Sequence, residues 1–124
     1  MNETTRRLRE AIAGNGMTVF AHIDHGRAAA EAGLELAAME VFMFGAARAG
    51  TKLMQAAPTT GIDLPLRVLV WVDAEGAAWL GYNEPDWIAA RHGARSGNDQ
   101  VLAAMRGSLR SIAEQVTRIA PAGS

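Results

Sequence analysis

Cysteine is absent from the 124 residues, which removes disulfides, thiolate nucleophiles, iron–sulfur ligation and thiolate zinc sites in one step. An excess of one charge is missing as well: 12 basic against 13 acidic residues leave a net charge of −1 and a pI of about 6.3. No cationic field is available to draw the chain onto phosphate backbones or anionic lipid, so neither nucleic acid nor a membrane is an expected partner. Long hydrophobic runs are also lacking. Uncharged apolar stretches are as short as Val41 to Ala47, whereas a membrane span needs roughly 20 residues. The N-terminal stretch carries Arg6, Arg7, Arg9 and Glu10 where a signal peptide needs a continuous apolar segment, so the expected location is cytoplasmic. Lysine is nearly missing. Lys52 stands alone beside eleven arginines, and 25 alanines accompany them, a composition typical of GC-rich bacterial genomes.

What is present is ordinary globular material, 49% apolar and 20% charged, of a length that buries about two-thirds of the unfolded surface in one core. A single domain over residues 1–124 is expected. Thr4 or Thr5 is placed to cap a first helix with Leu8, Ala11 and Ile12 on one stripe, stopped by Gly14-Asn15-Gly16. Met17 to Asp24 alternates with period two and reads as a strand. Asp24 as N-cap and Gly33 as terminator bracket a short helix from His25 to Ala32. Met39 to Phe44 reads as a strand buried on both faces. Thr51 is the expected cap of a helix running to Ala57 and ended by Pro58. Leu66–Val72 and Ala77–Asn83 read as an antiparallel hairpin with Gly76 in a left-handed turn position. Pro85 and Gly93 bound a helical turn. A long helix over about 98–119 follows, with Val101, Met105, Leu109, Ile112, Val116 and Ile119 at helical spacing, and the tail from Pro121 is expected to fray.

Placing Val19, Val41, Val68 and Leu80 toward the helices sends Phe20, Phe42, Phe44, Leu69, Trp71 and Trp79 to the other face of the sheet. A few hundred Å² of apolar surface left in water forgoes several kcal/mol at about 25 cal/mol per Å². A homodimer covering that face is therefore expected, the alternative being that the C-terminal helix folds across it.

Few constellations in the chain carry chemistry. Gly45 to Lys52 imitates a phosphate loop, but Thr51 precedes Lys52 and the loop requires the reverse order. A weaker anion site remains in which Arg48 and the amides of Gly50, Thr51 and Lys52 sit at a helix N-terminus. His22 and His25 flank a strand-to-helix junction without a carboxylate or thiolate at a familiar ligand spacing, so no metal and no cofactor is expected. His25 at a helix start and His92 at a helix end occupy opposed dipole environments, as an acid–base pair would. Serine nucleophiles are disfavoured because no glycine-framed elbow surrounds any of them. Tyr82, Asn83 and Glu84 either line a polar pocket beside Asp24 and His25 or cap the helical turn after them.

Thr18-Val19-Phe20, Ile23-Asp24-His25, Gly50 to Gln55, Asp63-Leu64-Pro65-Leu66, Trp71, Tyr82-Asn83-Glu84-Pro85 and Arg91-His92-Gly93 together resemble the domain-of-unknown-function family 302 over about residues 17–93. The resemblance implies an α+β fold of the TATA-binding-protein-like type. In it a two-layer, four- to five-stranded, mainly antiparallel sheet carries helices on one face and forms dimers. It implies no activity. Ala46-Ala47 and Lys52 depart from the asparagine and prolines common in the family at those places. The resulting expectation is a dimeric binding module for a small molecule, an anion included, with Asp24, His25, Tyr82, Asn83 and His92 as binding candidates. Two alternatives are an enzyme using His25 with Asp24 for acid–base chemistry and an interaction protein without a pocket.

Overall fold

A computed structural model describes residues 1–117; Arg118, Ile119 and the tail from Pro121, which belong to the expectations above, lie outside the described residues. The elements follow in the order α1 (Asn2–Gly14), β1 (Thr18–Asp24), α2 (His25–Glu31), β2 (Met39–Gly45), α3 (Ala47–Ala56), a 3-10 turn (Pro58–Ile62), β3 (Leu66–Val72), β4 (Ala78–Tyr82), α4 (Pro85–His92) and α5 (Asp99–Thr117). The four strands form one sheet in the order β1-β2-β3-β4, each pair antiparallel.

Two helix starts differ from expectation, each for a local reason. Helix α1 begins at Asn2 with Met1 at the cap position, because the Thr5 hydroxyl donates back to the Asn2 carbonyl at 3.0 Å and does not accept from a helix amide. Helix α3 begins at Ala47, four residues before Thr51, and its cap position is held by Ala46, which has no side-chain oxygen to offer the first amides. Asp24 caps α2 as expected, its Oδ1 accepting from the Arg27 amide at 2.8 Å. Gly93 ends α4 in the left-handed conformation (φ 70°) that a Cβ would strain.

The core lies between the sheet and helices α1, α4 and α5. Phe42 and Phe44 on β2 and Leu66, Val68 and Val70 on β3 pack against Leu8, Ile12, Ile88, Leu102, Leu109 and Ile112, all buried. Cross-strand pairs Phe42↔Val68 and Phe44↔Leu66 place both phenylalanines on the helix side, the reverse of the expected phase of β2. Their ring volume fills the gap under the helices, and Met39, Val41 and Met43 are left on the open side. A bulge between Val19 and Ala21 explains how Val19 still faces the core: the extra residue, Phe20, breaks the alternation of β1, so Val19 pairs with Phe44 while Ala21 pairs with Met43.

Helix α5 does not cross the open side. Its buried stripe of Leu102, Met105, Leu109, Ile112 and Val116 belongs to the same core as Phe42, and Arg106 ties it to Asp86 of α4 at 2.7 Å. The open side therefore presents Ile23, Val41, Leu69, Trp71 and Trp79, with the two indoles stacked at 6.4 Å and Trp79 54% exposed.

Candidate functional site

An antiparallel meander alternates strand direction, so the C-terminal ends of β1 and β4 lie at opposite ends of the sheet and, in this strand order, at opposite edges. Asp24 ends β1 and pairs with Glu40, whereas Tyr82 ends β4 and pairs with Val68. The structure thus does not bring Asp24 and His25 together with Tyr82 and Asn83. Asp24 is committed to its helix cap, and His25 begins α2 exposed. Tyr82 packs against the core, and Asn83 is exposed.

His92 ends α4 far along the chain from His25 and is tied to another segment. Its Nε2 donates to Asp63 Oδ2, its Nδ1 lies 2.9 Å from Thr59 Oγ1, and Arg91 reaches Asp63 at 3.3 Å. Because a carboxylate only accepts, Asp63 fixes the proton on Nε2 and leaves Nδ1 for the threonine hydroxyl. The cluster latches the 3-10 turn onto α4. His22 is engaged separately: its ring stacks on Phe42 with centroids 4.3 Å apart, and Nε2 meets Glu40 at 2.7 Å while Arg9 approaches Nδ1 at 3.1 Å. Among the described residues, no group of three His, Asp or Glu side chains gathers to hold a metal ion.

The α3 loop presents a different geometry from the one its sequence suggests. Gly50, Thr51 and Lys52 lie within α3, where the Gly50 amide donates to the Ala46 carbonyl at 3.3 Å, so the helix N-terminus is at Ala46 and Ala47 and not at Thr51. Arg48 and Lys52 are exposed and lie outside the lining of the cavity that opens beside this helix.

That cavity has a volume of about 450 Å³, within the range of about 300–1,000 Å³ usual for small-molecule sites. Four parts of the fold build it. The α1–β1 turn and the bulge bring Met17 and Phe20; the end of β2 and the start of α3 bring Gly45, Ala46 and Ala47; Leu64 and Pro65 close the side before β3; and α5 contributes Ala104 and Met105. Its polar groups are few: Asn15, Thr51 and Ser108. Asn15 Nδ2 donates one hydrogen to the Ala11 carbonyl at 2.8 Å, which leaves its second N–H to donate and its Oδ1 to accept. Among the described residues no charged side chain lines the space. Dehydrating a carboxylate there costs several kcal/mol, and a helix N-terminus at the mouth returns only about 0.3–1 kcal/mol. The apolar lining wins, and the cavity suits an uncharged guest.

Sequence reasoning singled out Gly50 and Thr51 on this wall but not Met17, Phe20, Ala46, Leu64, Met105 or Ser108. The bulge that aims Phe20 into the cavity leaves no mark in the local residue pattern, and contacts between α3 and α5 depend on residues some fifty positions apart.

Three comparisons bear on identity. The family described as "Domain of unknown function DUF302" matches over residues 1–112. Proteins named "Fluoride-specific ion channel FluC 1" from Brucella suis biovar 1 and from Brucella abortus biovar 1 are 44% identical over 103 residues, covering 83% of this chain and 41% and 38% of theirs. The chain thus spans about two-fifths of the length of the curated relatives it matches. No helix among the described residues is long and apolar enough to cross a membrane. A crystal structure of an "uncharacterized conserved protein DUF302 from Bacillus stearothermophilus" superposes with a TM-score of 0.82 at 19% identity, covering 94% of this chain and 90% of that one, which establishes a common α+β fold. On the match over most of its length, the chain belongs to the DUF302 family, whose printed description assigns no function.

Proposed function

We propose that this chain is a small-molecule binding module that works as a homodimer in the bacterial cytoplasm, with the ligand held in the cavity between α3, α5 and the bulged end of β1. The observation that carries the reading is the cavity itself: its walls come from four separate parts of the fold, its lining is apolar, and three uncharged polar side chains reach it. The dimer rests on the open side of the sheet, where Ile23, Val41, Leu69, Trp71 and Trp79 form a continuous apolar surface that α5 does not cover.

Light scattering at micromolar concentration tests the dimer. The expected mass is twice the 13.1 kDa of one chain, and Val41→Lys, which puts a charge in the centre of the open face, is expected to halve it while circular dichroism stays unchanged. A wild-type mass of one chain removes the dimer. Thermal-shift screening of neutral and charged small molecules tests binding, and a screen without any shift removes the module reading.

The channel relatives favour a second reading, in which the shared segment is an appendage that serves a fluoride-conducting protein and responds to that anion. Sodium fluoride against sodium chloride separates the two: the cavity reading expects equal melting temperatures in the two salts, and a fluoride-specific rise favours the appendage.

A further inference from the structure

Resting on the binding-module reading, we infer that the cavity selects uncharged molecules with an apolar body and one hydroxyl head, that is, simple aliphatic or aromatic alcohols, and rejects the corresponding carboxylates. Three observations point the same way. Among the described residues no charged side chain lines the cavity, so an anionic guest would lose water without gaining a counter-charge from them. The polar groups that do line it are suited to a neutral hydroxyl, because each offers an acceptor as well as a donor: the Asn15 amide has Oδ1 and the Nδ2 hydrogen not given to Ala11, and the Thr51 and Ser108 hydroxyls both donate and accept, whereas a carboxylate guest can only accept. The body of the space is bounded by the thioethers of Met17, Met54 and Met105, whose unbranched, polarizable side chains conform to chains and rings of differing shape, and by the ring of Phe20.

The bulge in β1 is the device that completes this wall. In a regular strand Phe20 would point away from its neighbour Val19, onto the open side of the sheet. As the extra residue between Val19 and Ala21, it is turned to the cavity mouth and remains 56% exposed. An exposed aromatic at the half-open entrance gives an apolar guest a surface to pack against.

The test uses the full chain and four probes: 1-octanol, octanoate, 2-naphthol and 2-naphthoate, titrated calorimetrically near neutral pH. The alcohols are expected to bind at least tenfold more tightly than their matched carboxylates. Ala104→Trp, on an exposed position of α5 that lines the cavity, is expected to weaken alcohol binding at least tenfold by filling the space. Thr51→Val, which removes a hydroxyl without filling the space, is expected to weaken the alcohols several-fold; it keeps the test decisive if the tryptophan variant fails to fold. Carboxylates binding as tightly as alcohols, or alcohol binding unchanged in Thr51→Val and in a folded Ala104→Trp, would overturn the neutral-alcohol assignment while leaving a binding module in place. Absence of binding by all four probes also overturns the assignment; the module reading itself then stands or falls on the broader thermal-shift screen.

Discussion

Replacing Ala46 is the sharpest perturbation that the structure suggests, because one position serves both the helix and the cavity. Ala46 occupies the N-cap of α3 with extended backbone (φ −110°, ψ 121°) and offers no side-chain acceptor to the first helix amides. Its methyl group lines the cavity mouth. A serine or aspartate there keeps the same backbone and supplies an oxygen for the Arg48 amide, since the Ala49 amide already donates to the Ala46 carbonyl at 3.1 Å; the change is worth about 1 kcal/mol. Aspartate adds about 0.3–1 kcal/mol from the helix dipole. A chain of this length unfolds with an entropy of roughly 0.26 kcal/mol per kelvin, so Ala46→Ser is expected to raise Tm by about 4 °C and Ala46→Asp by about 5–8 °C. The assay is thermal unfolding by circular dichroism at low salt, repeated at high salt, where the aspartate's additional gain should shrink. Binding moves the other way. The new carboxylate faces an apolar mouth, so alcohol affinity should fall in Ala46→Asp and hold in Ala46→Ser. If neither variant melts higher than the parent, the first amides of α3 already have partners and the assignment of its start is wrong.

Further outcomes follow from individual side chains. Thr60 is fully buried, and its hydroxyl has no hydrogen-bond partner among the described residues; Thr60→Val keeps the shape and should stabilise by about 1 kcal/mol, read as a higher urea midpoint with an unchanged m-value. Leu109 is 1% exposed in the centre of the α5 stripe, so Leu109→Ala should lose about 2–5 kcal/mol in the same assay. The Trp79 indole donates to Asp73 at 2.6 Å, and with the Ala77 and Glu75 amides it holds the Asp73 carboxyl below the usual carboxylate range. A carboxylate lowered in the folded state adds stability above its unfolded pKa and loses it as pH falls through the folded value. Acid titration should therefore weaken the β3–β4 hairpin below the usual carboxylate range, and Asp73→Asn should flatten that limb; an identical acid profile in the variant would contradict the role given to Asp73.

Local patterns made much of the architecture legible. Leu8, Ala11 and Ile12 at helical spacing, Asp24 before a run of alanines, Gly76 between two alternating runs, and the four-four-three spacing from Val101 through Ile112 each report chemistry confined to a few neighbours, and each element is where those residues put it. Thr51 misled for the same reason. Its capping chemistry is sound, yet the chain enters the helix four residues earlier, because burial of Leu53 and the approach of Met54 to Gly61 and of Leu64 to Gly50 fix α3 whether or not a side chain caps it. The grouping of candidate site residues failed more broadly, since whether Asp24 and Asn83 are neighbours depends on strand order and direction and not on either residue.

By itself the sequence determined the helix and strand inventory and the apolar character of both sheet faces, which depend on residue type and short-range periodicity, while the family and its sheet fold were implied by the resemblance of its ordered motifs. Only the tertiary structure decided which face of β2 meets the helices, because Phe42 and Val41 are both apolar and the space beneath α1 and α5 chooses between them. The same holds for the cavity, whose walls come from residues 15 to 108. A half-open cavity is a property of how distant segments pack, and the bulge at Phe20 that completes its wall appears only when β1 must match both β2 and the helices above.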